Sequence, residues 1–306
     1  MRVRKPSAES GKPSRFCYAP RMAAKPSITI VGAGNLGTAL ATALLRAGYS
    51  IDAVVARDGR DSLRRAKALA LKVGATPAAA NRAQINSEVV CFCVPDGQIS
   101  VAARSLAAKG VWKGRVALHS SGALTSDELS VLRQRGAVVA SVHPLMTFVR
   151  GSRPSLAGVP FAIEGDAPAL RIARRIVKDL RGQSFSIKKR HKVAYHAWGT
   201  FASPLLTALL ATTERVAATG GVTRIAAKQR MLPILAQTIA NYAALGAAGA
   251  LSGPILRGDA ETVKKHLRVL QRTPLAREVY IALANASLQY LPGKQRAVLK
   301  RLLASA

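Results

Sequence analysis

From residue 28 to residue 187, short β-branched apolar runs alternate with longer stretches of helical periodicity. The apolar runs predict strands, and the stretches between them predict helices. The predicted strands lie at 28–31, 51–56, 73–75, 89–94, 116–119, 138–143, 160–164 and 185–187. This alternation predicts an α/β fold with a doubly wound parallel sheet. We therefore assign residues 26–189 to one α/β domain.

After residue 189 the pattern becomes purely helical. Alanine- and leucine-rich stretches, punctuated by glycine and proline, predict an all-α domain over 190–306. Its long apolar helices are expected to supply a dimer surface. The longest apolar stretch, 197–211, contains Ser203 and Pro204 and is predicted as a core helix, not a membrane span. Residues 1–25 lack hydrophobic periodicity and are rich in Arg, Lys, Ser and Pro, which predicts a disordered basic tail.

Charge is the unusual feature of the composition. The chain carries 46 Lys and Arg against 15 Asp and Glu, a formal net charge of +31. Such a field attracts phosphates and anionic substrates, and also allows nonspecific contact with nucleic acid. Because no nucleic-acid-binding motif accompanies the charge, a generally basic surface is favoured and no specific nucleic-acid partner is expected.

Three cysteines, with Cys91 and Cys93 alternating along one apolar run, favour a reduced, cytoplasmic protein. Cys/His spacing of the zinc type is missing from the sequence, so we expect no structural metal.

A glycine-rich turn follows the first predicted strand. Gly32, Gly34 and Gly37 form G-x-G-x-x-G between a strand and a helix, and Asn35 and Leu36 lie within the motif. The first glycine permits the tight turn, the second admits a pyrophosphate, and the third lets helix and strand pack closely. A glycine turn can also be purely structural. The flanking elements favour a dinucleotide site over that alternative, so residues 26–189 are assigned to a Rossmann-type dinucleotide-binding domain.

The end of the second predicted strand indicates which dinucleotide. An NAD site places an acidic residue about 20 residues beyond the glycines, to bind the ribose hydroxyls. Here that place is taken by Ala56, followed by Arg57, whose guanidinium can pair with a 2′-phosphate. NADP is therefore favoured over NAD. Asp58 keeps the alternative open, because a shift of one or two residues would place its carboxylate on the ribose.

Several segments resemble an uncharacterised family that joins a Rossmann-like oxidoreductase domain to a C-terminal helical domain of unknown function. The glycine motif and Cys93–Asp96 are similar to those of pyrroline-carboxylate, ketopantoate and prephenate reductases and dehydrogenases. The segments that match the uncharacterised family are 119–124, 141–145, 161–166, 195–197, 253–259 and 265–267. The resemblance covers roughly residues 27 to 285 and implies an oxidoreductase without naming its substrate.

Candidate site residues in the first domain follow its predicted strands. Because ligands bind beyond the carboxyl ends of parallel strands, Val94 and Pro95 are expected to line the cofactor. Ser120 and Ser121 could bind substrate or the nicotinamide carboxamide, or could form a helix cap or turn. His143 is the main candidate for proton transfer, since imidazole titrates near neutrality; the alternative is a histidine that only holds its loop.

Other candidates belong to the helical domain. His196, after Tyr195, is a second catalytic candidate. Arg257 could bind a substrate carboxylate, with Asp259 capping the helix that follows. Asn241, in an apolar helical context, needs a partner for its amide, which a substrate hydroxyl or a neighbouring helix would provide.

Together these features predict an NADP-dependent oxidoreductase that transfers hydride to or from a small anionic 2-oxo or imino acid. We expect the helical domain, 190–306, to complete the substrate cleft, and the protein to be a homodimer without a membrane partner. A non-catalytic NADP-sensing protein is the alternative, and a flavin or deazaflavin carrier also remains open.

Overall fold

The computed structural model of this protein describes residues 24–152 and 154–306. The predicted disordered tail lies outside the described residues up to position 23. Lys25, inside that predicted tail, is packed against the first domain: its Nζ lies 3.2 Å from the Asp179 carboxylate and over the Tyr49 ring. Lys25 therefore packs with the first domain and does not belong to a disordered tail.

An eight-stranded sheet with the order β3-β2-β1-β4-β5-β6-β7-β8 forms the first domain and confirms the doubly wound Rossmann-type fold. Its strands are β1 Ile28–Val31, β2 Ile51–Ala56, β3 Thr76–Ala79, β4 Val89–Phe92, β5 Val116–His119, β6 Val138–Pro144, β7 Pro160–Gly165 and β8 Gln183–Ser186. The crossing from β3 back to β4 puts the change of strand order between β1 and β4, where ligands bind in such sheets.

Twelve α-helices accompany the strands along the described chain. They are α1 Asn35–Arg46, α2 Arg60–Val73, α3 Ile99–Ala107, α4 Ser130–Arg133, α5 Ala167–Asp179, α6 Lys192–Thr200, α7 Leu206–Thr219, α8 Arg224–Ala250, α9 Pro254–Arg257, α10 Ala260–Leu270, α11 Pro274–Tyr290 and α12 Arg296–Ala304. A 3-10 turn, Ser126–Leu129, precedes α4.

Two details of the predicted sheet were wrong. The third strand begins at Thr76 and not at residue 73, because Val73 still closes α2 and Gly74 ends that helix with a φ of 69°. β7 runs antiparallel to β6, whereas all other neighbouring pairs are parallel. The β6–β7 connection contains no helix, and parallel neighbours require a crossover that such a connection does not supply.

Apolar side chains cover both faces of the sheet. In β4 and the residue after it, alternate side chains pack on opposite faces of the sheet. Cys91 and Cys93 pack on one face, and Val90 and Phe92 pack on the other. The same alternation places Ala140 on the first face and Val139 on the second. The second face turns polar toward the carboxyl end of β5 and β6, where His119 and Ser141 follow Ala117 and Val139 by two residues.

The chain divides into two compact units, one ending at Tyr195 and the other running from His196 to Ala306. This division falls a few residues after the boundary predicted at residue 190. The second unit is helical, as predicted, with a small core that includes Val263, Leu288 and Leu299.

The stretch 197–211, predicted as a core helix, is helical but largely exposed in one chain. Trp198, Phe201 and Leu205 are 58, 71 and 45 % exposed. The π-helical turn Phe201–Leu205, which contains Pro204, interrupts its regular helix. Hydrophobic periodicity predicts that a helix has an apolar face. It does not predict whether that face packs within the chain or stays exposed.

A different helical stretch, Arg224–Arg257, is by length and composition apolar enough to cross a membrane, with a window of mean hydropathy 1.3. A helix that packs against another protein passes the same test. α8 makes up most of this stretch, and a residue with non-helical geometry, Gly246, interrupts it near its end.

Candidate functional site

The glycine turn has the shape that a bound pyrophosphate requires. Gly32 has a φ of 105°, and a Cβ there would lie 2.5 Å from the Cys93 carbonyl oxygen. A Cβ on Gly37 would lie 2.0 Å from the Gly32 carbonyl oxygen. A Cβ on Gly34 would meet nothing within 4 Å. Two glycines thus permit close packing, while Gly34 leaves the N-terminus of α1 open to a ligand.

A cavity of about 500 Å³ runs from this turn along the ends of β2 and β4. It brings together most of the residues predicted to bind the cofactor: Gly32, Gly34, Asn35, Arg57, Val94 and Pro95. Leu36 and Gly37 are not among its lining. Leu36 instead lines a small apolar cavity of about 30 Å³ together with Leu40 and Phe161, so only its backbone is suited to a cofactor role.

Three side chains suited to bind a phosphate face the β2 end of the cavity. The Arg57 Nε donates to Ser62 Oγ at 3.2 Å, and Arg65 lines the same wall. Asp58 also lines it. Ser62 and Arg65 were not among the predicted residues. Their positions in the first turns of α2 could have been read as part of the same phosphate site.

Side-chain hydrogen bonds hold the loop after β5 in place, some within the loop and some to residues at and after the end of β4. Ser121 Oγ donates to Asp96 Oδ2 at 2.8 Å and accepts from the backbone N–H groups of Ala123 and Leu124. Ser120 Oγ donates to the Phe92 carbonyl at 3.3 Å. Ser121 therefore forms a turn, the alternative left open by the sequence, while half-buried Ser120 lies at the sheet edge.

His119 orders the start of this loop. Its Nδ1 accepts from the Ser121 N–H at 3.1 Å, and its Nε2 lies 2.9 Å from the Thr125 carbonyl. Because burial lowers the pKa of His119 to about 4, the ring is neutral near pH 7. Its single proton lies on Nε2, since Nδ1 accepts the hydrogen bond from Ser121. His119 is thus a structural histidine beside the site.

His143 lies near the end of β6 and meets Tyr195 from α6. The two residues are joined by a 2.8 Å hydrogen bond between His143 Nδ1 and Tyr195 Oη, with the rings edge to face at a centroid distance of 5.5 Å. Burial raises the pKa of Tyr195 to about 12, so its phenol keeps its proton. The sequence places Tyr195 beside His196, but it gives no sign of the bond to His143, which lies 52 residues earlier.

The other predicted residues lie in the second unit. His196 and Arg257 are exposed, and the catalytic and carboxylate-binding roles given to them stay predictions. Asn241 is half-buried, and its Oδ1 accepts from Gln237 Nε2 at 2.7 Å, one helical turn earlier. Asp259 caps α10 as predicted, accepting from the Thr262 N–H at 3.0 Å. Among the described residues, no group of three His, Cys, Asp or Glu side chains is placed to hold a metal.

Two family models match the chain in succession. A Rossmann-like domain matches residues 18–144, and a domain of unknown function, DUF2520, matches residues 159–287. The chain joins a Rossmann-like domain to a DUF2520 domain. The DUF2520 match begins within the sheet and includes β7, α5 and β8, as well as helices of the second unit.

Several solved structures share this architecture. A proposed NADP oxidoreductase from Bacteroides fragilis is 21 % identical, with a TM-score of 0.73 over 86 % of this chain and 97 % of its own. A protein from Thermotoga maritima is 24 % identical, with a TM-score of 0.65 over 91 and 98 %. A reductive aminase from Aspergillus terreus, in complex with NADPH and ethyl-5-oxohexanoate, is 17 % identical, with a TM-score of 0.64 over 91 and 99 %. A search of curated proteins finds no sequence match.

Proposed function

We propose that this protein is an NADP-dependent oxidoreductase that transfers hydride to or from a small anionic 2-oxo or imino acid. The observation that carries the proposal is the His143–Tyr195 pair near the end of β6, at the same edge of the sheet as the glycine turn and the cavity after β4. Carbonyl or imine reduction needs a hydride site and a proton donor close together.

The residues present fit NADP. Gly34 leaves room for the pyrophosphate at the N-terminus of α1, and the cavity leads from there to Val94 and Pro95. At its other end, the guanidinium groups of Arg57 and Arg65 are suited to a 2′-phosphate. The architecture shared with the reductive aminase, which was solved with NADPH, supports the same cofactor.

The chemistry left to the chain is proton transfer and binding. The bound cofactor supplies or accepts the hydride. His143 holds the proton that a reduced carbonyl oxygen or imine nitrogen takes up, and the Tyr195 hydroxyl orients its ring through Nδ1. Arg257 is the proposed ligand of the substrate carboxylate and His196 the proposed assistant in proton transfer. The net positive charge favours encounter with anionic cofactor and substrate.

The cofactor assignment is tested by fluorescence titration of NADPH and NADH into the wild type and Arg57→Ala. We expect NADPH to bind more tightly to the wild type, and the preference to fall at least roughly tenfold in the variant, since a charged hydrogen-bonded pair is lost. Equal binding of NADH by the wild type would contradict the proposal. Asp58→Ala is the matched control on the neighbouring side chain.

A screen of 2-oxo acids, and of the same acids with amines, tests the reaction through oxidation of NADPH. Turnover of one of them supports the proposal. Tight NADPH binding without turnover on any of them would favour the non-catalytic NADP-sensing protein instead.

The partner proposed for the second unit is a second copy of the chain. Six large apolar side chains of α8 are at least half exposed in one chain: Ile225, Leu232, Ile234, Ile239, Tyr242 and Leu245. Such a surface is typical of protein interfaces. Gln229, Arg230, Gln237 and Asn241 recur along the same helix, and burying them in lipid would be costly. A cytoplasmic homodimer is therefore proposed.

A further inference from the structure

Lys192 is the least expected buried residue of the first unit. It opens α6, and its side chain is 0 % exposed. Its Nζ donates to the Ser121 carbonyl oxygen at 3.0 Å and to Ser141 Oγ at 2.5 Å. Burying an ammonium group is costly unless it is hydrogen-bonded and has compensating charge nearby.

The ammonium group lies over a row of polar side chains on one face of the sheet. His119 pairs with Ser141 across β5 and β6, and Ser141 pairs with Glu164 across β6 and β7. All three are at most 5 % exposed. Because directly paired residues of neighbouring strands point to the same face, these side chains form one continuous buried row.

Two carboxylates compensate the buried charge. Glu164 accepts from the Ser126 N–H at 2.6 Å and from Ser126 Oγ at 2.9 Å, and Asp96 accepts from Ser121 Oγ. Burial lowers the pKa of Lys192 to about 8, and the fields of Glu164 and Asp96 oppose that shift. Lys192 thus faces two carboxylates that themselves hold the two ends of the loop after β5.

Two residues of α6 contact two residues of β6. Lys192 and Tyr195 are three residues apart on a helix and so share a face. Ser141 and His143 are two residues apart on a strand and so share a face. Lys192 bonds to Ser141 while Tyr195 bonds to His143, so the first turn of α6 holds the end of β6 at two points.

We propose that Lys192 is a positioning residue, which fixes the Ser120–Ser121 turn and the His143 strand end relative to one another through its bonds to Ser121 and Ser141. The inference rests on the proposed function, because positioning matters only if His143 handles a proton. Lys192 is not among the residues that line the cofactor cavity. It acts through the backbone of the loop and through the ring orientation of His143, which Tyr195 completes.

The first test follows the ring of His143 and needs no substrate. ¹⁵N-histidine NMR spectra are recorded against pH for the wild type, Lys192→Met, Lys192→Arg and Ser141→Ala, with His143→Gln to identify the His143 signal. In Lys192→Met and Ser141→Ala we expect the titration midpoint of His143 to move by roughly half a unit or more, since both its geometry and a nearby charge or dipole change. Lys192→Arg should restore part of the shift. Lys188→Met, at an exposed lysine four residues earlier, should leave the midpoint unchanged.

The second test uses whichever substrate the screen finds. Lys192→Met should lower kcat roughly tenfold or more while the Kd for NADPH stays within about twofold of wild type, because misplacement of a catalytic group slows chemistry. If Lys192→Met fails to fold, Ser141→Ala tests the inference in its place, since this variant keeps the Lys192 ammonium group and removes only the hydroxyl that it bonds to. An unchanged His143 titration in Ser141→Ala and in any folded Lys192→Met overturns the inference. If the His143 titration shifts but the protein turns over no substrate, the positioning role of Lys192 is supported and only the proposed reaction is contradicted.

Discussion

At the scale of single residues, the site depends on which atoms each histidine bonds. His119 and His143 both lie at strand ends, and the sequence alone gives each the same chemistry. The structure separates them: His119 is buried between two backbone groups, and His143 is half-buried against a phenol. Of these two histidines, His143 is the one that combines partial exposure with a side-chain partner suited to proton transfer.

Replacement of His143 by Ala is expected to lower kcat about 100-fold or more, because general acid–base groups contribute that much. NADPH affinity should change little, since His143 does not line the cofactor cavity. Steady-state kinetics and a fluorescence titration measure the two quantities. His266→Ala is the control, because it removes another histidine paired with a tyrosine, at 3.2 Å. Equal turnover of wild type and His143→Ala would remove His143 from the mechanism.

His119 is expected to make stability sensitive to acid. Its pKa is lowered to about 4 when folded, so the unfolded chain binds the extra proton as pH falls below about 6.5. The stability that neutral His119 contributes is therefore complete above that pH and is lost as the pH falls toward 4. We expect the free energy of unfolding to fall by about 2 kcal/mol between about pH 7 and about pH 4.5. Urea unfolding at both pH values measures it. His119→Gln should show a smaller difference between the two pH values than wild type, and an equal difference would contradict the assignment.

At the scale of elements, the sequence was enough to locate the glycine motif. It did not show which glycines allow close packing and which one faces open space. The strand before the motif and the helix after it follow from periodicity, and both are confirmed. Which glycine faces open space depends on how close β4 comes, since the Cys93 carbonyl crowds Gly32 and not Gly34.

Gly34→Ala and Gly37→Ala are therefore expected to fail in different ways. Gly34 has an extended backbone that alanine also adopts, so its variant should keep the wild-type Tm and lose NADPH affinity by roughly tenfold or more. Gly37→Ala drives a methyl group against the Gly32 carbonyl and should lose about 2 kcal/mol of unfolding free energy. Thermal unfolding and NADPH titration of both variants check this. A Gly34→Ala variant with unchanged affinity would argue for a phosphate-free turn.

At the scale of the whole molecule, the exposed apolar side chains of α8 are the basis of the proposed dimer. Ile239→Glu, which puts a charge on a side chain that is 60 % exposed in one chain, is expected to shift the protein from dimer to monomer, because a buried unpaired charge disfavours association. Light scattering after size exclusion measures the mass. Gln229→Glu, an exposed polar position on the same helix, is the control and should stay dimeric.

A monomeric wild type would contradict the proposed dimer. If the wild type instead sedimented with neutral phosphatidylcholine vesicles, a membrane would be the partner of α8. Neutral vesicles are chosen because the net charge of +31 would bind anionic lipid in either case.

Residue patterns alone were enough to predict the alternation of strands and helices, the glycine turn, and the change to a helical region after residue 189. These features are local, because periodicity and turn chemistry act over a few neighbouring residues. His143 also stood out on its own chemistry. Three features became visible in the folded protein alone: β7 runs antiparallel, Tyr195 reaches His143, and Lys192 lies buried against β6 and the loop after β5. The two side-chain contacts of α6 with β6 join residues more than 50 positions apart. The direction of β7 and the position of α6 depend on how strands and helices pack, which a local pattern does not record.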